Sequence, residues 1–140
     1  MMTLTDTRVR NTELIAQYNA LFAAKRFADW SLLFQPDCHF EVAYPLPPLP
    51  AVLHGRDELV GFIGAMAEAV GDVRIDRQST HQTIDPDVVI TEHRLSVELL
   101  GGGQYQNQYI SVIQLRDGLI AEVREYYGSI EHAAFVASLA

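Results

Sequence analysis

Between Tyr105 and Tyr127 the chain reads YQNQYISVIQLRDGLIAEVREYY, with hydroxyl, amide and carboxyl groups set at alternate positions among apolar ones. Successive side chains of a strand point to opposite faces. Tyr105, Asn107, Tyr109 and Ser111 therefore share a face with Ile113 and Leu115, and Val123, Glu125 and Tyr127 share one on the returning segment. With Glu125 facing inward, a carboxyl sits among tyrosines and apolar side chains, where it needs a hydrogen-bond partner or a raised pKa. The chemistry suited to such a group is proton transfer on a small molecule, with nearby hydroxyls orienting the ligand or stabilising charge on its oxygen. The competing use of Glu125 is structural, as a solvated strand residue or the partner of an arginine such as Arg94.

Tyr18 is a second candidate, able to donate its phenol O–H to a ligand oxygen or to serve as a half-buried helix residue. Glu92 and Arg94 share a strand face opposite His93 and suggest an ion pair. His39, His54, His81, His93 and His132 are scattered, without HxH or HExxH spacing, so no metal site is expected. His39 and Glu41 fall opposite Phe40 and Val42, which suggests exposure. Cys38 is the only cysteine, and no Ser-His-Asp or Cys-His set is evident. The triple glycine at 101–103 marks a turn and lacks the strand-to-helix context of a phosphate loop. No cofactor is implied.

These groups must be held by a small set of elements. Leu14, Ile15, Tyr18, Leu21 and Phe22 recur at helical spacing, with Asn11 as candidate N-cap after a loose polar tail over 1–10. A short helix carries Phe27, Trp30, Leu33 and Phe34 and stops at Pro36-Asp37. Residues 38–44 alternate as a strand with Phe40, Val42 and Tyr44 on one face. PLPPLP at 45–50 cannot enter a central strand, because proline removes ladder donors, and reads as a rigid loop at a pocket rim or sheet edge. A third helix runs from Leu59 through Phe62 and Met66 to Val70, closed by Gly71. Strands follow over 73–84, 88–100, 104–115 and 119–127, with turns at Asp85-Pro86-Asp87, the triple glycine and Asp117-Gly118. A closing helix occupies 129–139. Short links imply antiparallel neighbours, and the order of elements implies one α+β domain over 1–140.

Composition removes other classes. A chain of 140 residues, 49% hydrophobic and 20% charged, is sized for one buried core. A formal charge of −8 without a basic cluster opposes nucleic acid and anionic membranes. The first residues contain no apolar signal core, and no apolar run approaches the ~18 residues of a membrane span, so a cytoplasmic protein is the expectation.

The Tyr18 helix, the proline-rich segment before HGRDEL at 54–59 and the ending RDGLIAEVREYYGSI at 116–130 resemble the SnoaL-like branch of the nuclear transport factor 2-like superfamily. The pattern YQNQYISV…RDGLI…REYY is most similar to the phenazine-biosynthesis A/B-type subgroup, and the resemblance spans about residues 12–130. It implies a cone-shaped α+β barrel, a curved, mostly antiparallel sheet wrapped around N-terminal helices, usually dimeric, with a pocket between sheet and helices. It further implies a pocket acid or base at Glu125, pocket-facing Tyr105 and Asn107, and a ligand-directed hydroxyl at Tyr18. Phe22, Trp30, Phe40, Val42, Tyr44, Phe62, Met66, Tyr109, Ser111 and Tyr127 would complete the ligand site. The two aspartates of ketosteroid isomerases fall near Val42 and Ser111 in this chain, which argues against steroid isomerisation. The expected activity is cofactor-free isomerisation, dehydration or cyclisation of a small cyclic or aromatic molecule. Two alternatives stand beside it: a non-catalytic ligand-binding protein, and an interaction module using the outer sheet face around Ile110 and Val112.

Overall fold

A computed structural model describes residues 1–139. The elements run α1 (Leu4–Ala23), α2 (Phe27–Ser31), β1 (Phe34–Val42), β2 (Val52–His54), α3 (Arg56–Glu68), β3 (Val70–Gln82), β4 (Val88–Leu99), β5 (Gln104–Arg116), β6 (Leu119–Tyr127) and α4 (Ser129–Ser138). The six strands form one open sheet in the order β2-β1-β6-β5-β4-β3. Among the described residues only the β1–β6 pair is parallel. Register breaks in β3 at Val70/Val73 and Asp76/Ser79, and again at Gln114/Leu115, add local twist that curves the sheet. The result is the α+β cone, with α1 and α3 across the concave face. No helix among the described residues is long and apolar enough to cross a membrane.

Strand β5 alternates without interruption, and Tyr105, Asn107, Tyr109, Ser111, Ile113 and Leu115 are all buried. On β6 the break opposite Gln114/Leu115 pairs Ile120 with Leu115 and Val123 with Ile113, so both apolar side chains turn inward. Parity from Val123 onward is intact, and Glu125 stands opposite Ser111.

Several boundaries differ from the sequence reading. Helix α1 begins at Leu4, not after a loose tail, because Thr3 and Asp6 close a reciprocal capping box at 3.0 and 3.1 Å. Asn11 is thus inside the helix and fully buried, and its Nδ2 donates to the Pro86 carbonyl at 2.8 Å, pinning α1 to the β3–β4 turn. Helix α2 ends at Ser31, and Pro36 lies in β1, where the register shift between Phe34 and His39 spares a ladder donor. Val70 opens β3 rather than closing α3, and the short edge strand β2 was not anticipated. The core sits beneath α1 and α2, where Ile15, Trp30, Phe34, Leu59, Ile113 and Val123 are fully enclosed.

Candidate functional site

Between the helices and the concave sheet face lies a cavity of about 150 Å³. Ten of the fourteen expected residues line it: Tyr18 and Phe22 from α1, Phe40 and Val42 from β1, Phe62 and Met66 from α3, Tyr105 and Tyr109 from β5, and Glu125 and Tyr127 from β6. The proline-rich loop contributes Pro45, Leu46, Leu49 and Pro50 to the wall, as its rim position suggested. No lysine or arginine among the described residues contributes to it.

The other four take different places. Trp30 is fully buried behind the wall, packed against Phe34, Tyr18 and Phe22 with ring centroids 4.7, 5.5 and 5.6 Å away. Tyr44 lies past the end of β1, is exposed, and meets Tyr126 at 6.1 Å. Asn107 is a buried strut. Its Oδ1 accepts from the backbone N–H groups of Gln108 and Gly128 at 2.9 and 3.1 Å, and its Nδ2 donates to the Tyr105 hydroxyl and the Gly128 carbonyl, both at 2.8 Å. The amide thereby ties α4 to the sheet. A Cβ on Gly128 would come within 2.7 Å of Asn107 Oδ1, so this corner admits only glycine without rearrangement. Ser111 is enclosed beneath Glu125.

Glu125 has no positive partner among the described residues. Arg94 instead forms a two-bond pair with Asp76 at 3.0 and 2.8 Å on the outer face, and Glu92 pairs with His81 at 2.8 Å, so the expected Glu92–Arg94 pairing does not form. Burial is the main influence on the Glu125 carboxyl and pushes its pKa up to about 7. The Ser111 hydroxyl opposes that shift, but its Oγ forms no hydrogen bond of good geometry, so burial dominates. The Tyr18 hydroxyl is pushed well above its usual pKa, first by burial and then by the Glu125 charge. Burial likewise raises Tyr105, Tyr109 and Tyr127, with Glu125 adding to each. These phenols remain protonated donors at neutral pH.

Two histidines belong to the site although nothing in their spacing singled them out. His93 on β4 stacks on Tyr109 with centroids 5.2 Å apart and planes 2° from parallel. Burial lowers its pKa to about 4, so the ring is neutral, and its Nδ1 has no hydrogen-bond partner among the described residues. Its parity opposite Glu92 and Arg94 was the available signal. His132, on the short α4, carried none. It lies between the Tyr105 and Tyr127 hydroxyls, at 3.4 Å from Nδ1 and 3.3 Å from Nε2. Phe135, one turn further on, stacks on Tyr105 at 4.5 Å.

The site can therefore hold a small, mostly apolar molecule, offer it several phenol protons, and exchange a proton with one carboxyl. Comparison with known proteins is consistent with this architecture. The SnoaL-like domain family matches residues 15–123. An uncharacterized PhzA/B-like protein of Pseudomonas aeruginosa is 31% identical over 104 residues, covering 74% of this chain and 73% of that protein. The crystal structure of a phenazine biosynthesis-related protein from Pseudomonas aeruginosa superposes with a TM-score of 0.83 at 20% identity, covering 96% of this chain and 89% of the other. TerC, co-crystallized with polyporic acid, superposes with a TM-score of 0.76 at 17% identity over 93% and 98% of the two chains. The family match spans most of the cone, from the α1 face that carries Tyr18 to the strand that leads into Glu125, and on that match the chain belongs to the SnoaL-like family.

Proposed function

We propose that this protein is a cofactor-free acid–base enzyme acting on a small, neutral cyclic or aromatic molecule. Glu125 moves the proton, and Tyr18, together with Tyr109 or Tyr127, donates hydrogen bonds to the ligand. The observation that carries this reading is a lone carboxyl with a pKa near 7 in a cavity to which no lysine or arginine among the described residues contributes. A general acid or base works best when its pKa lies near the operating pH. The volume of about 150 Å³ supports a single-ring ligand, since an apolar cavity of ~150 Å³ admits benzene. An anionic ligand would meet a carboxyl and no counter-charge, a costly arrangement in a dry site.

A ligand series checks the charge preference. Benzyl alcohol is expected to perturb the amide resonances of Tyr109 and Tyr127, and benzoate to bind at least ~10-fold more weakly. Equal affinities would remove the electrostatic argument. Turnover is tested by incubating cyclic ketones in D2O and following protein-dependent deuterium incorporation next to the carbonyl. Binding without exchange across the series would favour a ligand carrier over an enzyme.

The assembly proposed is a homodimer through the outer sheet face. Ile110 is 42% exposed there, beside the partly buried Val112, and together they present apolar surface next to glutamines. Sedimentation at micromolar concentration is expected to show a dimer, and Ile110→Asp a monomer. A wild-type monomer would reject this interface. A cytoplasmic setting fits the single, buried thiol of Cys38.

A further inference from the structure

The hydroxyls at the α4 end of the cavity form a chain whose proton count can be worked out. Asn107 is the fixed point, because its Oδ1 already accepts from two backbone N–H groups, so its Nδ2 must donate to the Tyr105 oxygen. Tyr105 has one proton and two remaining neighbours, the Tyr109 hydroxyl at 2.6 Å and His132 Nδ1 at 3.4 Å. With one lone pair taken by Asn107, it can accept from one of these and donate to the other. His132 meets the Tyr127 hydroxyl through its second nitrogen at 3.3 Å. Burial lowers its pKa, so the ring is neutral and carries a single N–H.

Only two arrangements satisfy every bond. In the first, His132 Nδ1–H donates to Tyr105, Tyr105 donates to Tyr109, and Tyr127 donates to the bare Nε2. The Tyr109 proton is then free for the cavity, while the Tyr127 proton is engaged. In the second, Tyr109 donates to Tyr105, Tyr105 donates to Nδ1, and Nε2–H donates to Tyr127. The Tyr127 proton is then free, while the Tyr109 proton is engaged. Both tyrosines line the cavity, and each has no other hydrogen-bond partner among the described residues.

We propose that His132 is a positioning residue whose tautomer decides whether Tyr109 or Tyr127 offers its hydroxyl proton to the ligand, and that a tautomer exchange relays a proton between the two. The relay balances without a charged intermediate. Tyr109 gives its proton to the ligand and receives the Tyr105 proton. Tyr105 receives the Nδ1 proton, Nε2 receives the Tyr127 proton, and Tyr127 takes one proton from the ligand. The protons moved are those on ligand oxygens, one gained at one point and one lost at another, which complements the transfer carried out by Glu125 in an isomerisation. This use rests on the acid–base reading above, whereas the hydrogen-bond coupling does not.

The test reads the tautomer directly, from the side-chain 15N shifts of His132 in histidine-labelled protein near pH 7.5. Phenylalanine keeps the ring volume and removes only the hydroxyl. In Tyr109→Phe the Tyr105 proton has no acceptor other than Nδ1, so His132 is expected as the Nε2–H tautomer. In Tyr127→Phe an Nε2–H would be a buried donor without a partner, so the Nδ1–H tautomer is expected. The Nε2–H tautomer in Tyr109→Phe with the Nδ1–H tautomer in Tyr127→Phe supports the coupling, and the same tautomer in both, or the reverse pair, overturns it. A doubly protonated wild-type ring at this pH overturns it as well. Opposite tautomers in a protein that exchanges no ligand proton would keep the network and remove only the catalytic reading.

Discussion

Glu125→Gln is expected to lower turnover by about 100-fold or more while leaving ligand affinity within a few-fold of wild type. Glutamine preserves the shape and most hydrogen-bonding capacity of the side chain but cannot exchange a proton at neutral pH. The pH profile carries the same information. A step centred near the Glu125 value of about 7 should appear in the wild-type rate, rising if the group acts as base and falling if it acts as acid. That step should vanish in the variant. An unchanged rate with a ligand shown to occupy the cavity would take Glu125 out of the mechanism.

The same substitution has a stability signature of defined sign. Burial raises the Glu125 pKa from 4.5 to about 7, so the folded state resists ionisation that the unfolded chain accepts. The stability associated with the neutral carboxyl is complete below pH 4.5, declines as pH rises, and has levelled off once pH passes about 7. At about 1.4 kcal/mol per pH unit, the interval from 4.5 to about 7 corresponds to roughly 3 kcal/mol. Glu125→Gln lacks this dependence, so its stability relative to wild type should increase across that window. Urea melts at pH 4.5 and pH 8 read the difference. Had Glu125 been the partner of Arg94, its loss would have left a buried cation and reduced stability. Arg94 instead holds Asp76 on the opposite face of the sheet.

The parts of the site that could be read from sequence are those governed by a simple period. The β5 stripe obeys parity over its whole length, and Glu125 and Tyr127 follow because the irregularity in β6 lies before Val123. Parity also turned His93 inward, opposite Glu92 and Arg94, though an isolated histidine gave no reason to expect a cavity around it. Asn107 shows what strand parity does not encode. A polar side chain on an inward face is equally useful to a ligand or to the backbone of another element, and here Gly128 uses it. His132 was beyond reach because α4 meets the sheet only through tertiary packing. The early start of α1 was encoded in the Thr3–Asp6 spacing but obscured by two polar turns around it. Tyr44 follows the parity of Phe40 and Val42, yet the chain leaves the strand after Val42 and the period no longer applies.

Trp30 separates a core role from a wall role most sharply. Helical spacing places it inward but cannot distinguish the packed side of a helix pair from the side that borders a cavity. In the structure it is fully enclosed, with Phe27 at 6.1 Å completing a ring cluster that includes Tyr18, Phe22 and Phe34. Trp30→Ala is therefore expected to cost about 3–5 kcal/mol, from lost burial plus the void left among rings that cannot all move in. For a chain of this length that is a fall in Tm of more than about 10 °C. Tyr44→Ala, at an exposed position, should change stability by no more than about 0.5 kcal/mol. Phe22→Ala should lie between them, because Phe22 already borders open space on its cavity side. Thermal and urea melts of the three variants give the order directly. A loss below about 1 kcal/mol in Trp30→Ala, accompanied by weaker binding of benzyl alcohol, would return Trp30 to the cavity wall and place the ring cluster on the ligand side of α2.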